Sequence, residues 1–204
     1  MVARCPKTLA LGVCVSTAVP KVGSRVPHVE AGVGAIATQA KTKILYGING
    51  LKLLKMGFSP KKALESLLEN DPDRESRQVI IIDKDERKAA FTGKETIDWK
   101  GHLIDKDYVV AGNLLVGGRV VEAMAQTFEN SEGLLADRLM NALEAGQEAG
   151  GDQRGRVSAA LLVASNKRKG TPHILDLRVD EHKNPVAELR RVFESYKKEM
   201  KAET

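Results

Sequence analysis

Between Thr8 and Ser16 the apolar residues fall at every second position, Leu9, Leu11, Val13 and Val15, which is the period of a strand. A second β-prone stretch, small and apolar, runs from Gly32 to Thr38. The period then lengthens. From Tyr46 to Met56 apolar residues recur at Ile48, Leu51 and Leu54, predicting a helix that Gly57 stops. Ser59 and Pro60 open the next helix as N-cap and first residue, with Ala63, Leu64, Leu67 and Leu68 on its apolar face.

From Gln78 the pattern returns to strands. Gln78 to Asp83 is a continuous apolar run, typical of a strand covered on both faces. Lys88 to Thr92 follows across a polar turn, and Tyr108 to Leu115 is a further strand. Val120 to Phe128 and Leu134 to Ala149 carry helical spacing, through Val121, Met124 and Phe128 and then Leu135, Leu139 and Leu143. Val157 to Ala164 and Ile174 to Val179 read as a hairpin joined by a basic loop, Lys167-Arg168-Lys169. Pro185 to Lys201 closes the chain as a helix, capped by Asn184 and facing inward through Leu189, Val192, Phe193 and Tyr196. Strands, two helices, strands, two helices, strands and one helix do not alternate as a doubly wound sheet requires. The order fits an α+β single domain of antiparallel sheets with helices on their outer faces.

Composition narrows the function classes. The chain has 204 residues, enough for one substantial core, and no linker or repeat divides it. Its 32 basic and 27 acidic residues leave a net charge of +5 without forming a stripe, and aromatic residues are few, so nucleic acid is not an expected partner. No apolar run reaches the roughly 18–20 residues of a membrane span. Leu9 to Ala18 reads as a strand rather than a signal peptide, so a cytoplasmic protein is expected. Cys5 and Cys14 are expected as two buried reduced thiols.

The motifs are weak singly. Gly32-Val-Gly-Ala-Ile-Ala37 matches a dinucleotide pattern, but its β-prone residues lie inside the motif and no acid follows about 20 positions on. A close-packed strand is the better reading. The histidines His28, His102, His173 and His182 form no metal-binding pair. Glu30 shares a strand face with His28, and Asp176 and Asp180 precede His182, but neither group amounts to a ligand set, and neither metal nor cofactor is expected. Ala149-Gly-Gly-Asp-Gln-Arg-Gly155 is the most unusual segment: Asp152 and Arg154 sit among three glycines just after a helix. Such a loop either positions an anionic substrate or is a helix cap with a local ion pair. Ser158 has no nucleophile-elbow context, and there is no phosphate-binding loop. Thr38-Gln39, Gly101-His102 and Gly112-Asn113 place polar groups at strand ends.

Read together, many short pieces in order resemble one family. They are Val2-Ala-Arg4, Ala31-Gly-Val-Gly-Ala-Ile-Ala-Thr-Gln39, Tyr46-Gly47, Gly50-Leu51, Arg77-Gln78, Ala90-Phe-Thr-Gly93, Trp99-Lys-Gly-His102, Gly112-Asn-Leu-Leu115, Ala149 to Gly155, Ser158-Ala-Ala160 and Leu177-Arg-Val-Asp-Glu-His182. The chain is similar to the N-terminal-nucleophile-hydrolase-like family designated domain of unknown function 1028. The resemblance implies a four-layer αββα sandwich and, from the superfamily, an amide-bond hydrolase in which an N-terminal Thr, Ser or Cys attacks a carbonyl with its own α-amine as base. On that reading the catalytic candidates are Asn113, Gln39 and Thr38, with Asn113 or Gln39 as oxyanion donors. Asp152, Arg154, His102 and His182 are the substrate-binding candidates, Arg154 as a carboxylate clamp. The substrate is expected to be a small molecule or peptide, and homo-oligomers occur in such folds. The sequence opens Met1-Val2, without that nucleophile. A start upstream of Met1, cleavage at Arg4–Cys5 and a fold that no longer catalyses are the three explanations, the first being the expectation. The rival function is a non-catalytic ligand-binding or assembly protein.

Overall fold

A computed structural model of the chain describes residues 1–166 and 172–202; the basic loop expected at Lys167-Arg168-Lys169 lies outside these. Ten strands and five α-helices follow in chain order: β1 (Val2–Arg4), β2 (Leu11–Thr17), β3 (Pro27–Glu30), β4 (Gly34–Ala40), α1 (Ile44–Lys55), α2 (Pro60–Glu69), β5 (Arg77–Asp83), β6 (Lys88–Thr92), β7 (Gly101–Ile104), β8 (Tyr108–Gly112), α3 (Arg119–Asn130), α4 (Leu135–Glu148), β9 (Ser158–Asn166), β10 (Pro172–Val179) and α5 (Pro185–Ala202).

The strands form two antiparallel sheets, one of six strands in the order β10-β9-β2-β1-β8-β7 and one of four in the order β3-β4-β5-β6. Three apolar clusters separate the layers. Val13, Val15, Ala35, Ala37, Ile80 and Ile82 fill the space between the sheets. Ile36, Val79 and Ile81 point the other way, toward Tyr46 and Leu54 of α1 and Leu64 of α2. Phe128, Leu139, Leu143, Leu189 and Phe193 bring α3, α4 and α5 against the outer face of the larger sheet. The protein is therefore a four-layer αββα sandwich of α+β class.

The local causes are those of the sequence, with corrections. Every residue of β5 is buried, as a strand covered on both faces requires. Ser59 caps α2 by accepting from the Lys62 N–H, and Pro60 opens it. At α1 the buried face is Tyr46, Gly47, Gly50 and Leu54, and Ile48 is exposed. The two glycines let this helix lie close on the sheet, since a Cβ would collide with His28 at Gly47 and with Ile36 at Gly50. Thr8 to Ala10, expected in a strand, form the β1–β2 turn instead. There Cys5 N–H bonds the Ala10 carbonyl, Leu9 N–H bonds the Cys5 carbonyl, and Leu9 takes a φ of 58°. The Gly32–Ala37 motif spans a turn and the first part of β4, which runs on as strand to Ala40 instead of opening a helix, so it is a close-packed strand. Cys5 and Cys14 are free and buried. No described helix is long and apolar enough to cross a membrane.

Candidate functional site

The ends of β2, β4 and β8 and the start of β5 converge at one edge of the sandwich. They surround a cavity of about 530 Å³, closed on the far side by Val120 and Met124 of α3, Leu143 of α4 and the loop Gly151 to Arg154. Two residues on its wall, Ala40 and Leu114, hold left-handed backbone at φ 65° and 55°. Such strain in non-glycine residues persists only where surroundings enforce it, and it concentrates at binding sites. At Leu114 the enforcement is visible: its N–H bonds the Ile97 carbonyl, and its own carbonyl accepts from the Gln153 N–H. Met1 at the head of β1 also lines the cavity, its nitrogen donating to the Cys14 carbonyl at 2.9 Å.

Asn113 is held by a residue that the sequence reading passed over. Gln78, 2% exposed, begins the apolar run of β5 and reaches across to the other sheet. Its Nε2 donates to Gly112 O at 2.8 Å, Gly101 O at 3.2 Å and Thr92 Oγ1 at 3.0 Å, the two available hydrogens being shared among three acceptors. Carbonyls only accept, so the nitrogen end of this amide must face them. Its Oε1 then faces Asn113, whose Nδ2 donates to it at 3.1 Å. One Asn113 N–H is fixed in this way; the other, and Oδ1, have no protein partner among the described residues. The chain continues outward. Thr92 Oγ1, accepting from Gln78, has its proton for His102 Nδ1 at 2.9 Å. Burial lowers the His102 pKa, consistent with a neutral ring accepting at that nitrogen. The signal in the sequence was a polar pair, Arg77-Gln78, heading a strand otherwise apolar on both faces.

The glycine-rich segment is a helix cap with a local ion pair, and that pair lies on the cavity wall. Gly151 N–H bonds the Gly146 carbonyl, ending α4, and Gly150 and Gly151 take positive φ of 117° and 62°. Asp152 and Arg154 then line the cavity as a local pair. Arg154 Nε meets Asp152 Oδ1 at 3.0 Å and its Nη2 meets Oδ2 at 2.6 Å, while Asp152 Oδ2 also accepts from Ala18 N–H at 3.4 Å. Two of the three guanidinium nitrogens are thus already engaged by the protein.

Of the other candidates, Gln39 lines the cavity but Thr38 does not. Successive residues of β4 face opposite ways, and Thr38, like Ile36, points toward the helix layer, fully buried and with Oγ1 unpartnered. His182 stands away from the cavity, its Nδ1 accepting from Asn184 N–H at 3.1 Å. His102 is outside too and reaches Asn113 only through Thr92 and Gln78. His28 bonds the Val26 carbonyl and Glu30 bonds Lys55. Among the described residues no group of three or more His, Cys, Asp or Glu is placed to hold a metal.

A buried ionic cluster supports the rim. Asp71 accepts from Arg77 Nε at 2.9 Å and Nη2 at 3.3 Å and from the Tyr46 hydroxyl, and it pairs with Lys43 Nζ at 3.2 Å. Arg77 Nη1 also donates to the Lys41 carbonyl, tying the strand next to the site to the segment entering α1. Ser158, fully buried, acts similarly on the 18–22 segment: its hydroxyl donates to Val19 O at 2.6 Å and accepts from Val22 N–H at 3.1 Å.

The architecture is an α+β sandwich with a cavity at the edge where the two sheets open. The match is closer than a fold: the model of a family of unknown function, DUF1028, covers residues 1–189, and the chain belongs to that family. It is also similar to a crystallised member, protein SPO2555 from Silicibacter pomeroyi, at 32% identity and a TM-score of 0.88 over 95% of this chain and 83% of that one. A search of curated proteins finds no match to this chain.

Proposed function

We propose that the protein is an amide-bond hydrolase for a small molecule or short peptide, acting in the inter-sheet cavity. The observation that carries this is the Asn113 amide, oriented by Gln78 and left with one unpaired N–H on the cavity wall. A fixed donor of that kind suits the oxygen of a tetrahedral intermediate. The reading requires, at the head of β1 where this sequence has Met1 and where the cavity opens, a Thr, Ser or Cys nucleophile. It passes its proton to the adjacent α-amine and bonds to the carbonyl carbon. The C–N bond then breaks, the leaving amine takes that proton, and water releases the acyl group.

A ligand-binding protein on the same fold is the second reading. It draws on Met1, whose side chain belongs to the apolar core and carries no nucleophile. Asn113→Ala separates the two. For the hydrolase, kcat on a responsive amide falls by about 10²–10³-fold with KM little changed. Ligand-induced stabilisation without turnover in parent and variant alike carries the binding reading.

A further inference from the structure

Among the described residues three cationic side chains line the cavity, and two are committed. Arg154 is held by Asp152 in two contacts, and Lys41 Nζ lies 3.1 Å from Asp73. The third, Arg25, follows the short 3-10 turn Val22–Ser24 and precedes β3; its side chain has no ion-pair or hydrogen-bond partner among the described residues. The lining carboxylates are Asp152, taken by Arg154, and Glu95, whose Oε2 accepts from the Ser76 hydroxyl at 2.9 Å. The lining that Arg25 shares is apolar in part: Val22 and Val26, on either side of it in sequence, are buried in one cluster with Ile80, and Val19 is exposed. A guanidinium with free donors beside an apolar wall matches a ligand with a planar anionic group on an apolar body.

We propose that the cavity selects acyl amides whose amine portion carries a free carboxylate, N-acyl amino acids and short peptides, and that Arg25 rather than Arg154 holds that carboxylate. This rests on the amide-hydrolase reading for the amide and adds the anion. Arg25 is exposed at the cavity and takes no part in the core, so its replacement leaves the fold in place.

The test is calorimetric titration, which needs no turnover. The matched probes are N-acetyl-leucine and N-acetyl-leucinamide, which differ only in the carboxylate. The carboxylate form is expected to bind at least tenfold more tightly, Arg25→Gln to abolish that preference, and Arg154→Gln to keep it; circular dichroism checks that each variant is folded. Equal binding of the two probes, binding of neither, or a preference that survives Arg25→Gln overturns the proposal. Inorganic phosphate is the counter-probe: Arg25-dependent phosphate binding without carboxylate binding overturns the assigned ligand class. An Arg25-dependent preference in a protein that cleaves no amide defeats the hydrolase reading alone. Turnover that ignores the carboxylate defeats this inference alone.

Discussion

Asp71→Ala is expected to destabilise the protein by about 3–5 kcal/mol, because it leaves a buried arginine with only the half-exposed Asp73, 3.3 Å from its Nη2, as counter-charge. The Asp71 and Arg77 side chains are only 2% and 7% exposed. Removing the carboxylate takes the Arg77 Nε partner and strands the Tyr46 hydroxyl and the Asp73 N–H, which Asp71 Oδ1 accepts at 3.1 Å. The same group gives the fold a pH dependence. Hydrogen bonding from Arg77, helped by Tyr46, Asp73 N–H and Lys43 and opposed by burial, holds the Asp71 carboxyl well below the usual carboxylate range. A carboxyl depressed in the folded state contributes its stability above its unfolded pKa, about 3.9, and loses it as pH falls from there toward the folded value. Urea unfolding at pH 7 and pH 3 checks both points. The parent is expected to lose stability between them, and Asp71→Asn, weaker at pH 7, to lose less.

Gln78→Leu is expected to cost about 3 kcal/mol and to reduce any activity of the site as well. The leucine fits the volume, but Gly101 O, Gly112 O, Thr92 Oγ1 and the Asn113 amide lose a partner at once. Each unsatisfied buried group costs about 1–3 kcal/mol, and neighbours in one network do not add fully. Gln78→Glu is expected to do no better. It keeps an acceptor for Asn113 but sets a carboxylate against two carbonyl oxygens. Thermal unfolding reads the first effect, and turnover per folded molecule reads the second. An unchanged melting temperature in Gln78→Leu contradicts the bridging role given to this side chain.

Long, strongly patterned elements were legible in the sequence. The run Gln78 to Asp83, the stripes of α3 and α4 and the Ser59-Pro60 start of α2 all lie where local pattern and tertiary burial agree. The short strands β1, β3 and β7 were not, because three or four residues carry too little periodicity and owe their strand form to flanking neighbours. β1 is paired on both sides, Val2 with Val13 and with Val109. The helix α1 was legible, but of its predicted stripe Ile48 is exposed: glycines, which carry no hydrophobic signal, make its closest contacts. At the site, polar residues beside strand ends led to Gln39, Asn113, Asp152 and Arg154, all on one cavity. Thr38 failed because neighbouring strand residues face opposite layers. Gln78 escaped because its partners are backbone carbonyls of the other sheet, far away in sequence. Arg25 escaped because what sets it apart is the engagement of Arg154 and Lys41 elsewhere.

The most direct test of the amide-hydrolase account is to expose the protein purified from its native host to an acylating β-lactone and locate the adduct by intact mass and peptide mapping. The account expects one acyl group, on a Thr, Ser or Cys side chain at the head of β1, with Asn113→Ala slowing its formation. Acylation elsewhere, or no acylation of a folded protein that still binds cavity ligands, contradicts it.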